Sequence, residues 1–197
     1  MRESLWVGCA AVLILGGVAE ARDDDTENKQ GDFNVFLRGG VGNFTGELAS
    51  VTQTGPTWGL TVNVQPWNIL GYEITYDGSR NLVEDARLVN QPAVTRYGLA
   101  GMLKLGPPLI ESVRPFVGLG LGATMVRVSQ DAGGLYKNDL LEEVPVAAGI
   151  EFNTGAVTAG LRASYRYLVG ESFADPSTIG NLEGGYLDAA VTLGARF

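Results

Sequence analysis

The chain has 197 residues and a formal net charge of −8, from 14 lysines and arginines and 22 aspartates and glutamates. Nucleic-acid-binding proteins carry a basic stripe, and this acidic sequence shows none. It contains no histidine, which removes the commonest general base and the commonest metal ligand. The single cysteine, Cys9, lies in a predicted leader, so we expect a mature chain without disulfides.

The first segment reads as an export signal. Residues 5–18 form an apolar run that is too short for a membrane-spanning helix, and residues 19–21 (AEA) fit a cleavage site. The sequence therefore predicts a signal peptide over 1–21, followed by a polar periplasmic lead-in over 22–31. An uncleaved membrane anchor is the alternative. Lipidation of Cys9 is disfavoured because that residue lies inside the apolar run.

From residue 32 to residue 197 the apolar residues recur at every second position, which is the period of a β-strand. The predicted strands are residues 33–42, 58–65, 71–77, 96–105, 116–125, 146–152, 157–167 and 187–197. Their number and length predict an all-β fold, an eight-stranded antiparallel up-and-down transmembrane β-barrel.

The connections between these strands alternate in length. Short turns follow the second, fourth and sixth strands. The long connections are predicted near residues 44–56, 78–94, 129–143 and 168–185. Bacterial outer-membrane barrels have short periplasmic turns and long external loops, so this asymmetry predicts both chain termini on the periplasmic side.

Alternation alone fits a soluble barrel as well as a membrane barrel, because both have one apolar face. Three features favour the membrane. Gly118, Gly120 and Gly122 share one face of the fifth strand and would make a poor soluble core. The last strand alternates up to Phe197. Aromatic residues lie near strand ends, as an interfacial belt requires: Trp58, Trp67, Tyr72, Tyr97, Tyr165 and Tyr167.

Three segments resemble the OmpA-like and OmpX-like outer-membrane barrels often called "porin family" proteins: residues 35–42 (VFLRGGVG), 70–76 (LGYEITY) and 114–122 (RPFVGLGLG). The resemblance covers about residues 31–197. The alternating end of the chain, with Leu193, Ala195 and Phe197, resembles the insertion signal that the barrel-assembly machinery reads. The resemblance implies a location in the outer-membrane lipid of a Gram-negative cell and no cofactor, but not one shared function.

Charged residues on the inward face are the sharpest local signal. Glu73, Lys104, Glu151 and Arg162 fall in the periplasmic third of the third, fourth, sixth and seventh strands, where opposite charges should pair. The resemblance implies a similar interior quartet. We expect a polar plug rather than a gate, because eight strands leave no wide channel. A second inward group is predicted nearer the outside: Arg38, Asp77, Arg96, Arg166 and Asp188.

No spacing in the sequence supports catalysis, so no enzyme is expected; the lipid A deacylases and omptin proteases on this scaffold use histidine. The acidic residues 23–25 and 131–143 are interpreted as solvated loops rather than Ca²⁺ sites, and no metal is expected. The sequence favours a monomeric structural or surface-interaction barrel whose long loops contact envelope or host partners. The alternative is a narrow ion channel or a small hydrophobic-solute transporter.

Overall fold

A computed structural model describes residues 32–84, 92–110, 112–128, 139–169 and 184–197, which form an eight-stranded closed barrel. The strands are β1 (Asp32–Phe44), β2 (Gly55–Gln65), β3 (Leu70–Leu82), β4 (Ala93–Leu105), β5 (Val113–Val128), β6 (Asp139–Thr154), β7 (Val157–Val169) and β8 (Gly185–Arg196). A short 3-10 helix spans Gly46–Ser50. Among the described residues, no helix has the length and hydropathy needed to cross a membrane. The predicted signal peptide and lead-in lie outside these ranges.

Every strand pairs antiparallel with its neighbours in the sequence, and β1 also pairs with β8 to close the cylinder. Two backbone hydrogen bonds extend this seam past β8. The amide of Phe197 donates to the carbonyl of Phe33 at 2.8 Å, and the amide of Phe33 donates to the carbonyl of Phe197 at 3.4 Å. Closure leaves no unpaired sheet edge, and the predicted fold class is confirmed.

The distribution of exposed and buried side chains is the reverse of that in a soluble barrel. Leu37, Leu121 and Val191 point outward and are 68 %, 74 % and 59 % exposed, whereas Arg96 and Lys104 point inward and are 1 % and 0 % exposed. Apolar residues outside and polar residues inside are the pattern of a transmembrane barrel. The alternation found in the sequence therefore has its apolar phase on the outer surface.

The strands continue further toward the long loops than the sequence predicts. We call this side of the barrel the loop end and the opposite side, where the short turns lie, the turn end. Residues 78–82 belong to β3 and residues 139–143 belong to β6, so their prediction as loops is wrong. In β3 the outward side chain of Arg80 is charged, and in β6 the run of residues 139–143 (DLLEE) does not alternate.

At the loop end of β4 and β5 the alternation is reversed, since Val94 and Val126 face inward while Thr95 and Arg127 face outward, as in a soluble barrel. Arg80, Thr95 and Arg127 occupy outward positions there. The inward apolar cluster, here called the apolar cap, consists of Phe44, Leu48, Val83, Val94, Val126, Leu141, Leu168 and Tyr186. The continuous apolar outer face of β4 and β5 therefore ends at the level of Thr95 and Arg127. Beyond this level the strands no longer have the pattern that predicts them from the sequence.

The glycines of β5 make room inside the barrel. A Cβ atom on Gly120 would lie 2.1 Å from the carbonyl oxygen of Gly101 and 2.6 Å from Cγ of Met102. The side chain of Met102 therefore occupies the space that a larger residue at position 120 would need. Close packing, and not a poor core, explains the glycine-rich face of this strand.

Replacing Gly120 with valine should lower the free energy of unfolding by about 1–3 kcal/mol or more, because the side chain would overpack the interior. Gly101→Val is the matched control, since nothing lies within 4 Å of a Cβ atom at that outward position on the neighbouring strand. Urea unfolding of the refolded protein measures both changes. Equal destabilisation by the two substitutions would contradict the packing explanation.

Candidate functional site in the barrel interior

The four inward charges predicted near the turn end lie together. Lys104 Nζ is 3.3 Å from Glu73 Oε1, and Arg162 Nη1 donates a hydrogen bond of 2.7 Å to Glu73 Oε2. Lys104 also forms an ion pair with Glu151. All four side chains are buried, although they come from four strands. We call this group the inner quartet; its two positive and two negative charges balance.

An apolar wall surrounds the cations of the inner quartet. Lys104 Nζ lies 4.4 Å from the centre of the Phe116 ring, and Arg162 Cζ lies 5.5 Å from it. Met102 Sδ accepts a hydrogen bond of 3.2 Å from Arg162 Nη2, and Met102 packs with Phe116 and Ala147. Against such an apolar wall an unpaired charge is costly, so these residues stabilise the interior only as a complete set.

The second inward group also comes together, around Asp77. Arg38 Nη2 and Arg166 Nη2 lie 3.2 Å and 2.6 Å from Asp77 Oδ2, and Arg96 forms an ion pair with Asp77 Oδ1. Arg166 also pairs with Asp188. The predicted five residues thus form one connected cluster between the inner quartet and the apolar cap.

Glu143 completes this cluster and was missed by the sequence analysis. Its Oε2 atom lies 3.0 Å from Arg96 Nη1, and its side chain is buried inside the barrel. Its interpretation as the end of a solvated acidic loop is therefore wrong, and residues 131–138 of that segment lie outside the described residues. With Glu143 the cluster has three arginines and three carboxylates, and we call it the outer sextet.

Two signals in the sequence pointed to Glu143. The five predicted members carry three positive and two negative charges, which leaves one buried cation without a partner. The inward phase of β6 runs from Ala147 through Pro145 to Glu143. The polar stretch of residues 139–143 concealed this continuity, because it reads as a loop.

The apolar cap lies directly against the outer sextet. The guanidinium carbon of Arg96 is 4.9 Å from the centre of the Tyr186 ring, and that ring meets Phe44 edge-on with centroids 5.1 Å apart. Leu48 of the 3-10 helix is buried in the same cluster. From the turn end to the loop end, the interior therefore contains the inner quartet, the outer sextet and the apolar cap in that order.

One wall of the interior near the turn end is polar but uncharged. Asn34 pairs in register with Asn63, and Asn63 with Glu73. Within the described ranges, Asn34 Oδ1, both side-chain polar atoms of Asn63 and Gln65 Oε1 are buried and have no hydrogen-bond partner. Groups of this kind require water, so this wall favours a hydrated pocket beside the inner quartet.

The residues predicted as an insertion signal lie on the outer surface. Leu193, Ala195 and Phe197 all face outward near the turn end of β8, and all three are exposed. The Phe197 ring lies 5.9 Å from the ring of Phe33 at the barrel seam. These side chains are therefore presented to the surroundings of the barrel and not to its interior.

Within the described ranges, no group of three or more histidine, cysteine, aspartate or glutamate side chains is arranged to hold a metal ion. The interior carboxylates instead face arginine or lysine. The chemistry of the described charged groups is consequently that of ion pairing.

These features are those of a small outer-membrane β-barrel, and similarity to solved structures confirms that fold. Neisserial surface protein A is 15% identical over 85% of this chain and 100% of its own, with a TM-score of 0.61. Ail of Yersinia pestis is 16% identical over 85% of this chain and 99% of its own, with a TM-score of 0.57. OprG from Pseudomonas aeruginosa is 14% identical over 84% of this chain and 96% of its own, with a TM-score of 0.55. No protein-family model matches the sequence, and no curated protein matches it.

Replacing Arg162 with methionine tests the pairing in the inner quartet. We expect a loss of about 3–5 kcal/mol in the free energy of unfolding, because the substitution keeps most of the side-chain volume but leaves Glu73 with one cation fewer. Urea unfolding of the refolded protein measures the loss.

The double variant Glu73→Gln/Arg162→Met removes both charges of the pair. It should recover part of the stability lost in Arg162→Met, because no carboxylate then remains without its arginine. A double variant that is less stable than Arg162→Met would contradict the pairing explanation, because the Glu73 carboxylate would then be stabilising without Arg162.

Proposed function

We propose that this protein is an outer-membrane β-barrel that displays external loops at the surface of a Gram-negative cell, while its interior is closed to solutes. The observation that carries this proposal is the stacking of the inner quartet, the outer sextet and the apolar cap along the barrel axis. A barrel closed in this way offers its outer surface and its loops, rather than a pore, as the parts that interact with other molecules.

The outer surface and the predicted leader support this location. Exposed apolar side chains such as Leu37, Leu121 and Val191 form a belt around the barrel that suits a bilayer, here called the lipid-facing belt. The shared fold is that of proteins such as OprG, an outer membrane protein. We propose that residues 1–21 are a signal peptide, 22–31 a periplasmic lead-in and 32–197 the barrel. The barrel-assembly machinery would read Leu193, Ala195 and Phe197, whose outward position suits recognition before the barrel closes.

Charge balance supports a plug rather than a gate. Each buried cation of the inner quartet and the outer sextet has at least one carboxylate within ion-pair distance, and both groups are neutral as sets. Moving one member aside would leave a charge unpaired in a narrow, partly apolar interior, at a cost of several kcal/mol. We therefore propose a monomeric, non-enzymatic barrel in which these residues fix the structure.

The loop end supports a surface role. The apolar cap gives the strands a packed core beyond the lipid-facing belt. The long connections therefore begin and end at strand residues that are held by this packing. Among proteins of the same fold, one is named a surface protein of Neisseria and another, Ail, was solved in complex with a heparin analogue. We propose by comparison that the loops of this chain contact envelope or host-surface ligands.

The second candidate is a narrow channel. The buried carboxamide atoms of Asn34, Asn63 and Gln65 that have no hydrogen-bond partner favour water along one wall of the interior at the turn end. Conduction of ions would require a continuous path of water from this wall through the outer sextet and the apolar cap. Transport of a small hydrophobic solute would in turn require the cap to open around the solute.

Single-channel recording in planar bilayers separates the two candidates. We expect no discrete openings from the refolded wild-type protein. The variant Glu73→Ala/Arg162→Ala should also stay closed, because the outer sextet and the apolar cap remain. Discrete openings of the wild-type protein would contradict the closed barrel and favour the channel; a large porin reconstituted in the same way verifies that openings are detectable.

Phe197→Ala tests the proposed insertion signal. We expect several-fold less protein in the outer-membrane fraction, measured by the heat-modifiable migration of the folded form on a gel. Phe33→Ala is the matched control, because it removes the same ring contact across the seam but leaves the chain terminus unchanged. An equal loss in both variants would assign the effect to packing at the seam and contradict the signal.

A further inference from the structure

A row of three outward residues crosses the loop end of the barrel. Arg80 of β3 pairs in register with Thr95 of β4, and Thr95 pairs with Arg127 of β5. The two arginines are exposed on the outer surface, and the threonine lies half-buried between them. Because neighbouring strands lie about 4.8 Å apart, the two arginine backbones are about 10 Å from each other.

These two arginines differ from every other described cation. The remaining lysines and arginines of the described ranges occupy the inward phase of their strands: Arg38, Arg96, Lys104, Arg114, Arg162, Arg166 and Arg196. The outward-facing positive charge in the described part of this acidic protein is therefore confined to one row at one end.

The row lies at the edge of the lipid-facing belt. One rung nearer the turn end, the outward positions are Gly78, Tyr97 and Met125, and the Trp58 ring covers Gly78. Tryptophan and tyrosine are enriched at the level of lipid headgroups. The Nε atom of Arg127 donates to Met125 Sδ at 3.2 Å, so this side chain folds back toward the belt.

Among the side chains that the structure describes, no ion pair involves Arg80 or Arg127. The outward carboxylate Glu142 is in register with Ala123, well down β5 from Arg127. The guanidinium groups thus retain donors for an anion. Inside the barrel, by contrast, every arginine of the quartet and the sextet is already paired.

We propose that Arg80, Thr95 and Arg127 bind the phosphate groups of an anionic lipid in the external leaflet, a proposal that rests on the outer-membrane location proposed above. Guanidinium groups bind phosphate through two parallel hydrogen bonds, and the threonine hydroxyl supplies a further donor between them. The acyl chains of the lipid would run along the belt below the row, past Tyr97 and Leu99. A lipid is favoured over a soluble anion because the row adjoins this apolar surface.

Binding of fluorescent diphosphorylated lipid A to the refolded protein in uncharged maltoside micelles tests the site. We expect the apparent dissociation constant to rise about tenfold for each arginine removed, and hence about a hundredfold for Arg80→Gln/Arg127→Gln. Arg114→Gln/Arg196→Gln is the matched control, since it removes the same charge at the turn end. Heat-modifiable migration verifies that each variant is folded.

Two further arms identify the ligand. Lipid A without phosphates should bind much more weakly than the diphosphorylated form, and inorganic phosphate should compete only weakly. Any of three results would overturn the lipid site. They are an unchanged apparent dissociation constant in Arg80→Gln/Arg127→Gln, equal binding of the dephosphorylated lipid, and full competition by inorganic phosphate. The micelle assay does not depend on location in the cell, so recovery of the protein outside the outer-membrane fraction would overturn the proposed function separately.

Discussion

The structure depends on one constraint, which is the narrow interior of a closed eight-stranded barrel. A cylinder of this size is just wide enough to be filled by side chains. Each inward residue must therefore fit against residues from strands across the barrel, and each inward charge must find an opposite charge there. The salt bridges from Glu73 to Lys104 and Arg162, and from Asp77 to three arginines, are the result.

The same constraint explains features that look unrelated in the sequence. Glycines on β5 leave room for Met102, whose sulfur contacts Arg162. Beyond the lipid-facing belt much of the interior is filled by the apolar cap. The outer surface changes in the opposite sense at the same level, where Arg80 and Arg127 replace apolar residues. On β5, for example, the inward residue Val126 belongs to the apolar cap, whereas the next residue, Arg127, is charged and faces outward.

Much of the fold follows from the sequence because the strand period and the turn residues are local properties. The strand count and the membership of the inner quartet both came from reading alternation along the chain. Residues 78–82 and 139–143 are strand residues that the local pattern conceals, because the outward residue Arg80 is charged in β3 and the run DLLEE does not alternate in β6. Glu143 was lost with them, although the unbalanced charge of the second group indicated that a carboxylate was missing.

The sequence by itself determined which residues of the predicted strands face inward, since side chains alternate strictly along a strand once its apolar phase is known. Only the tertiary structure decided which inward residues meet. Arg162 and Glu73 are 89 positions apart in the chain and lie on strands that are not neighbours, yet their side chains are hydrogen-bonded across the interior. Such partners depend on the register of the strand pairs around the barrel, including that of β1 with β8.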